Sequence, residues 1–510
     1  EVIPGDTPFT EAFRAGKTFA GTRGIILSGS PESVYSGDGA APDRWIYDSS
    51  LPLLGICYGL QRMTHDNGGK VEPLPRREYG GVAVRLGAAE LNAAPPHARP
   101  FLRGFKKDRF TAWMSHGDTL TALAPGFRQV GESETGFPAV LVHETKPWFG
   151  VQFHPEVTHS EGGTDLLSAF TLDVCGARKN WTMETYIEET RADLAARTGN
   201  DTVLLLISGG VDSTVAAALL LAALDNEKVH LMYMDTGLMR TGETETVTEN
   251  LRRLGAKHLH IIHCADEFFA ALEGVTDPEA KRKAIGDLFI TIQEREVARL
   301  GLPERSFLAQ GTLYTDLIES GKGVGKKAHV IKSHHNVGSP LVEAKRKAGR
   351  VIEPLERLYK DEVRALGRLL GVDEEVVGRH PFPGPGLAVR ILGEVTREKC
   401  AILRKADALF IAELKKRFSP AGKRLYDEIW QAFAVLLPLR SVGVAGDERH
   451  YGEVLALRAI TSADGMTADV YPFEMQDLLA ISTLITNTVK EIGRVTYDIS
   501  SKPPATIEWE

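Results

Sequence analysis

"TVLLLISGGVDSTVAAALL", residues 202–220, joins a short apolar run (202–207) to a turn, Ser208-Gly209-Gly210, and then to an alanine- and leucine-rich stretch. An apolar run of strand length, a glycine turn and a helix-length apolar segment make the opening of an α/β unit, with its site at the carboxyl end of the strand. "HLMYMDTG" (230–237) supplies the next strand. Three similar runs lie in the first third of the chain: "GIILSG" (24–29), "LPLLGI" (51–56) and "FGVQF" (149–153). They predict a separate α/β unit with buried, mostly parallel strands. A charged helical stretch (183–201) bridges the two. Around "HPFPGPGL" (380–387) proline and glycine break the helical pattern, and a mixed tail follows. The expected fold class is α/β, with two doubly wound domains at 1–180 and 181–392 and a small α+β domain at 393–510.

Length allows this, because 510 residues with 43% hydrophobic and 25% charged side chains exceed what one core organises. A net charge of −8 argues against nucleic acid as a general partner. Cys57, Cys175, Cys264 and Cys400 lie far apart with no Cys-x-x-Cys pair, which speaks against a zinc cluster or disulfide framework and for a reducing, cytoplasmic setting. No apolar run is long enough for a membrane span, and "EVIPGDTPFT" does not read as a signal peptide.

"LLGICYGLQ" (54–62) sets Cys57 between Gly55 and Gly59. Cys57 is either a buried filler or a nucleophile, since Gly-x-Cys-x-Gly copies the elbow in which small neighbours permit a strained turn that exposes a nucleophile. A nucleophilic thiol needs a base. "GVQFHPEV" (150–157) offers His154 with Glu156 two residues on, the same face of an extended segment, so that the carboxylate can orient the imidazole. The amide of Tyr58, next after the cysteine, fits an oxyanion donor.

The turn at 208–210 presents backbone N–H groups at a helix start, a natural anion site. It lacks the Gly-Lys-Ser/Thr ending of a Walker A loop. Basic clusters at 277–286, 319–336 and 358–364 read either as solvated faces or, at Lys322, Lys326 and Lys327, as a lid over a bound nucleotide.

"GICYGLQ", "MSHGD" (114–118) and "GVQFHPEV" resemble triad-type glutamine amidotransferases. The resemblance implies that Cys57 attacks the glutamine side-chain amide, that His154 and Glu156 complete the triad, and that Gly29 in "LSGSPESV" (27–34) is the second oxyanion donor. Ser30 stands where the family has a second glycine, and would be strained if that position were left-handed. Members usually open with a strand and a helix ahead of the segment matching "EVIPGDTP", and this sequence shows neither, so that either the start is trimmed or the first sheet lacks a strand.

"SGGVDS" resembles the PP-loop of ATP pyrophosphatases, which implies ATP contacts at Ser208, Gly209, Gly210, Val211, Asp212, Ser213, Thr214 and, in "MDTGLMR" (234–240), Asp235, with Asp212 also a Mg²⁺ ligand. With "QGTLYTDLIES" (310–320), "GRHPFPGPGL" and the terminal "SKPPATIEWE", nearly the whole chain is similar to the glutamine-hydrolysing GMP synthetase family. That likeness implies glutamine, ATP and xanthosine 5'-monophosphate (XMP) as substrates and a homodimer formed through the third domain. It implies XMP contacts at Arg282, Gln431, Asp447, Lys502, Ile507 and Glu508. A PP-loop amidotransferase with another acceptor, such as an NAD synthetase, and a non-catalytic nucleotide sensor are the alternatives.

Overall fold

The computed structural model describes residues 2–10, 13, 16–35, 39, 41–157, 159–319, 340–445, 448–462, 468–502 and 504–510. They form two compact units, one ending at Asn180 and one beginning at Trp181.

The first unit is built on a seven-stranded sheet whose spatial order is β1 (Ile25–Leu27), β2 (Leu53–Ile56), β7 (Trp148–Val151), β6 (Pro138–His143), β5 (Phe127–Ser133), β3 (Lys70–Leu86) and β4 (Arg109–Ala122). The three apolar runs of the first third are β1, β2 and β7, paired in parallel. Every residue of β2 and β7 is buried, as expected of strands covered on both faces. The remaining pairings, from β7 through β6 to β4, are antiparallel. Helix α1 (Tyr58–Asp66) follows β2 after one intervening residue and buries Leu60 and Met63.

The second unit opens on a fully parallel sheet, ordered β10 (His258–His263), β9 (Val229–Asp235), β8 (Val203–Ile207), β11 (Phe307–Ala309) and β12 (Val351–Ile352). Helix α2 (Val211–Ala223) rises from β8, and its residues from Val215 to Leu221 are all buried. Around the sheet lie α3 (Glu243–Arg253), α4 (Pro278–Leu300) and α5 (Lys360–Leu369).

Beyond α6 (Arg397–Lys416), a long antiparallel hairpin of β13 (Gln431–Ala445) and β14 (Glu448–Thr461) carries β15 (Asp469–Val470) and, in parallel, β16 (Ile492–Tyr497) beside α7 (Met475–Thr488). One hydrophobic cluster runs from Leu204 and Met232 of the parallel sheet to Phe410, Leu436 and Ile485 of these last elements, so the two sheets share a core. Among the described residues no helix is long and apolar enough to cross a membrane.

Candidate active site

β2 stops at Ile56 and the chain turns on one residue. Cys57 has φ 51° and ψ −109°, the single positive φ at a non-glycine among the described residues. Such a torsion costs about 1–3 kcal/mol and persists only where the surroundings enforce it. Here they do. A Cβ on Gly59 would lie 2.0 Å from the Leu27 carbonyl oxygen, and one on Gly55 would lie 2.7 Å from the Leu60 nitrogen, so α1 can press against β1 and β2 only because both glycines are bare. The Cys57 N–H donates to the Val151 carbonyl at 2.8 Å, tying the elbow to β7.

His154 lies three residues beyond β7. Its N–H donates to the Trp113 carbonyl at 3.0 Å, and the Ser160 hydroxyl donates to its carbonyl at 2.6 Å. Nδ1 sits 2.7 Å from Glu156 Oε1. Hydrogen bonds with the Cys57 side chain and then with Glu156 hold the imidazole protonated up to about 10, against a burial that works the other way. The three triad residues expected from sequence therefore stand together. A Cβ on Gly29 would fall 2.9 Å from His154 Cε1 and 3.8 Å from Cys57 Cβ, so bare backbone borders the two side chains there. Tyr58 begins α1, where N–H groups lack helical partners. Ser30 is not left-handed, and its hydroxyl accepts the Glu32 N–H at 3.2 Å, so the strain feared for it does not arise.

Two glutamines that sequence reasoning passed over lie beside the elbow, one at the sulfur and one holding the first in place. Gln152 Nε2 lies 3.8 Å from Cys57 Sγ, and Gln61 Nε2 donates to Gln152 Oε1 at 3.4 Å and to the Asp118 carbonyl at 3.0 Å. The other cysteines are held as thiols: burial pushes Cys175 and Cys400 up to about 11 and Cys264 to about 12.

In the second unit the loop after β8 folds on its own hydroxyls. Ser208 and Ser213 hydroxyls are 3.0 Å apart, the Ser208 N–H donates to Ser213 Oγ at 3.2 Å, and Thr214 Oγ1 donates to the Gly210 carbonyl at 2.9 Å. Gly209 takes φ 81°, a conformation that disfavours any side chain. Lys360, at the start of α5, sets its ammonium 2.7 Å from both Asp212 oxygens. Asp235, at the end of β9, accepts the Gly237 N–H at 3.1 Å. Sequence reasoning marked 358–364 only as a basic cluster and did not single out Lys360.

Several of the residues that the resemblance marks as XMP contacts lie at or beside the end of the chain. Arg458, fully buried, donates to the carbonyls of Ser500 at 2.7 Å, Thr506 at 3.0 Å and Ile507 at 3.1 Å, folding the tail against β14. Ile507 packs on Phe433 and Val435. Glu508 accepts from Gln431 Nε2 at 2.8 Å and from Arg390 at 2.8 and 3.1 Å. Arg390 is fully buried, stacks over Phe433 at 4.1 Å, and was missed from sequence. Arg282 reaches this tail through the main-chain oxygen of Glu510. Lys502 pairs with Ala468 through backbone hydrogen bonds. Gln431, Ile507 and Glu508 thus come together, Arg282 pairs with Glu279 at 3.6 Å and touches the tail at its last residue, and Asp447 and Lys322, Lys326 and Lys327 lie outside the described residues.

Comparison with known proteins gives three family matches: glutamine amidotransferase class-I over residues 1–174, NAD synthase over 184–285, and the GMP synthase C terminal domain over 420–509. The chain is 47% identical to the glutamine-hydrolysing GMP synthase of Symbiobacterium thermophilum, covering 99% of this chain and 93% of that one. It is 48% identical to the enzyme of that name from Candida glabrata (96% and 90% covered), and 46% identical to that of Aquifex aeolicus (100% and 94%). With a cysteine elbow in one unit, a phosphate-type loop in the other and this likeness along almost its entire length, the chain belongs to the family of glutamine-hydrolysing GMP synthases.

Proposed function

We propose that this chain aminates XMP to GMP, drawing ammonia from glutamine and energy from cleavage of ATP to AMP and pyrophosphate. The observation that carries the reading is the pairing of the Cys57–His154–Glu156 constellation with the Ser208–Ser213 loop in one chain. Cys57 sulfur attacks the side-chain amide carbon of glutamine, with the N–H groups of Tyr58 and Gly29 receiving the developing oxyanion. The C–N bond breaks, the departing ammonia takes the proton held by His154, and a thioester remains. His154, now neutral, takes a proton from water as the water attacks the thioester, releasing glutamate and returning the sulfur.

In the second unit the N–H groups of the 208–214 turn hold the ATP phosphates, with Asp235 beside the nucleotide. The C2 oxygen of XMP attacks the α-phosphorus and pyrophosphate leaves. Ammonia then displaces AMP from C2 to give GMP. An unactivated carbonyl oxygen leaves poorly, and adenylation makes it a good leaving group. Gln431, Ile507 and Glu508, with Lys502 on the same tail and Arg282 of α4 reaching its last residue, are the acceptor contacts of this reading. Asp447 belongs with them by resemblance.

Magnesium fits as an ion shared with phosphates. No group of three metal-binding side chains is assembled among the described residues, but one carboxylate with substrate oxygens and waters suffices for this ion, and Asp212 offers that carboxylate. Bound there, it would neutralise phosphate charge as pyrophosphate departs. Lys360, which now pairs with Asp212, would then turn to the phosphates.

We assign functional domains to 1–180, 181–392 and 393–510, a homodimer through the last, and a cytoplasmic location. Exposed Leu439, Val442, Val444 and Tyr451 on the β13–β14 hairpin support the dimer, and four free cysteines support the reducing compartment. The NAD synthase match covers only the loop domain, whereas the C-terminal match favours XMP over another acceptor. The deciding experiment measures AMP formed from ATP with and without XMP, using glutamine and then ammonium. AMP formation should require XMP with either nitrogen source, and independence from XMP would overturn the assignment.

A further inference from the structure

The residues just before the proline-rich "PFPGPG" (381–386) touch both halves of the second unit. Arg379 Nη1 donates to the Gly209 carbonyl at 2.7 Å, and Nη2 to Glu243 Oε1, on α3, at 2.8 Å. Glu243 is 6% exposed, so this guanidinium is its charge partner in a buried setting. Arg364, one helical turn beyond Lys360 on α5, donates to the Arg379 carbonyl at 3.4 Å. Adjacent His380 faces the other way. It stacks on Tyr426 with centroids 3.9 Å apart, accepts the Ala432 N–H on Nδ1 at 3.1 Å, and donates from Nε2 to the Tyr426 carbonyl at 2.8 Å. The Pro381 carbonyl then accepts from Gln431 Nε2 at 3.1 Å, and the same nitrogen reaches Glu508.

The consequence at the loop follows from peptide geometry. In a trans peptide the C=O and N–H point in opposite directions. With its carbonyl gripped by Arg379, the Gly209–Gly210 peptide must aim the Gly210 N–H away from Arg379, toward the side where it already meets Ser208 Oγ at 3.3 Å. Two successive glycines resist a flip of that peptide very little. Without the guanidinium the Gly210 N–H loses its fixed orientation for part of the time.

We propose that Arg379 and His380 form a strap that fixes the Gly209–Gly210 peptide in its anion-receiving orientation and couples it to the acceptor residues Gln431 and Glu508. Arg379 is a positioning residue: it acts through the loop amide rather than on a reacting atom. The strap rests on the reading of this unit as an ATP-dependent ligase for XMP. A ligand that orders Gln431 and Glu508 also orders Pro381 and His380, and through Arg379 the loop. XMP and ATP should therefore strengthen each other's binding, and the factor must be the same in both directions.

The test uses the full chain with ammonium as nitrogen source, so that the first unit takes no part. The KM for ATP is measured at several XMP concentrations for the parent, Arg379→Lys, Arg379→Gln and the pair Arg379→Gln with Glu243→Gln. The pair removes both charges, so a folding defect caused by a stranded Glu243 is separated from loss of the grip. Loss of one charge-assisted hydrogen bond should raise the KM for ATP about tenfold to a hundredfold in Arg379→Gln and in the pair, and abolish its dependence on XMP. Arg379→Lys, which keeps one cationic donor for the Gly209 carbonyl, should recover part of both. His380→Gln should weaken XMP binding and the dependence while leaving the KM for ATP at low XMP unchanged. The strap is refuted if the pair folds with the parent's melting temperature and retains the parent's KM for ATP and its XMP dependence. A parent enzyme that makes AMP without XMP would instead refute the underlying assignment, so the two failures are distinguishable.

Discussion

Gly59→Ala tests the elbow most directly. The new methyl carbon would sit 2.0 Å from the Leu27 oxygen and 2.8 Å from Leu27 Cβ. Favourable contact begins near about 3.5 Å, so α1 and β1 must part by about 1.5 Å at that point. Cys57 lies two residues away, and its position is set by the same close approach. A displacement of about 1 Å at a reacting atom costs about a hundredfold in rate, or about 2.7 kcal/mol in the barrier. Overpacking should also lower stability by about 1–3 kcal/mol. The assay compares glutamate release and GMP formation from glutamine with GMP formation from ammonium, alongside a melting curve. Glutamine-dependent kcat/KM should fall about a hundredfold or more, while the ammonium-dependent rate stays within about twofold. Gly21→Ala is the control, since a methyl there meets nothing within 4 Å. If Gly59→Ala uses glutamine as the parent does, the close approach of α1 to β1 does not set the nucleophile and the reasoning fails.

Three further outcomes follow from the site. Iodoacetamide at neutral pH should alkylate Cys57 alone, because burial holds Cys175, Cys264 and Cys400 as thiols; mass spectrometry of Cys57→Ala showing equal modification elsewhere would contradict this. Asp212→Ala should abolish ammonium-dependent AMP formation by about a hundredfold or more while Cys57 is still alkylated at the parent rate; AMP formation at the parent rate would remove Asp212 from the site. Burial lowers His380 from 6.5 to about 4, so the native state favours the neutral ring, and that stability is present above 6.5 and lost as pH falls toward 4. The loss amounts to about 3 kcal/mol, read as a fall in the urea midpoint that His380→Gln should flatten.

The parts of this fold that could be read from sequence are those that satisfy one local rule. β2, β7, β8 and β9 are short apolar runs because they are buried or nearly so, whereas β1 is equally apolar at the sheet edge with Ile26 exposed. The antiparallel stretch from Lys70 to His143 escaped notice because it follows a different rule: β4 alternates buried and open positions over most of its length, so its apolar residues never form a run. Phe307–Ala309 is too short to be recognised without β8 and β12 beside it. The same division holds for the site. Cys57 and the 208–213 loop are contiguous patterns. Lys360 and Arg379 reach Asp212 and Gly209 from 148 and 170 residues away, and nothing local separates a lysine in a basic cluster from one on a solvated helix face.

The two glycine patterns that opened both readings work by different physics. Gly55 and Gly59 do not occupy the left-handed region; the strained torsion falls on Cys57 between them. Their contribution is the missing Cβ, which allows backbone to pass within reach of backbone, and an alanine there collides with the Leu27 carbonyl or the Leu60 nitrogen. Gly209 is the reverse case. A Cβ there would meet only the Glu243 carboxylate at 3.1 Å and side-chain carbons at 3.4 Å, but φ 81° is a torsion that L side chains resist. An alanine at Gly59 therefore displaces the nucleophile without demanding a new torsion, and one at Gly209 demands a torsion with modest displacement. Gly209→Ala should then relax by turning the Gly209–Gly210 peptide, which breaks the Arg379 contact first and raises the KM for ATP with little change in glutamine chemistry. The elbow fails by steric collision and the phosphate loop by loss of orientation, although both are read as a glycine beside a strand end.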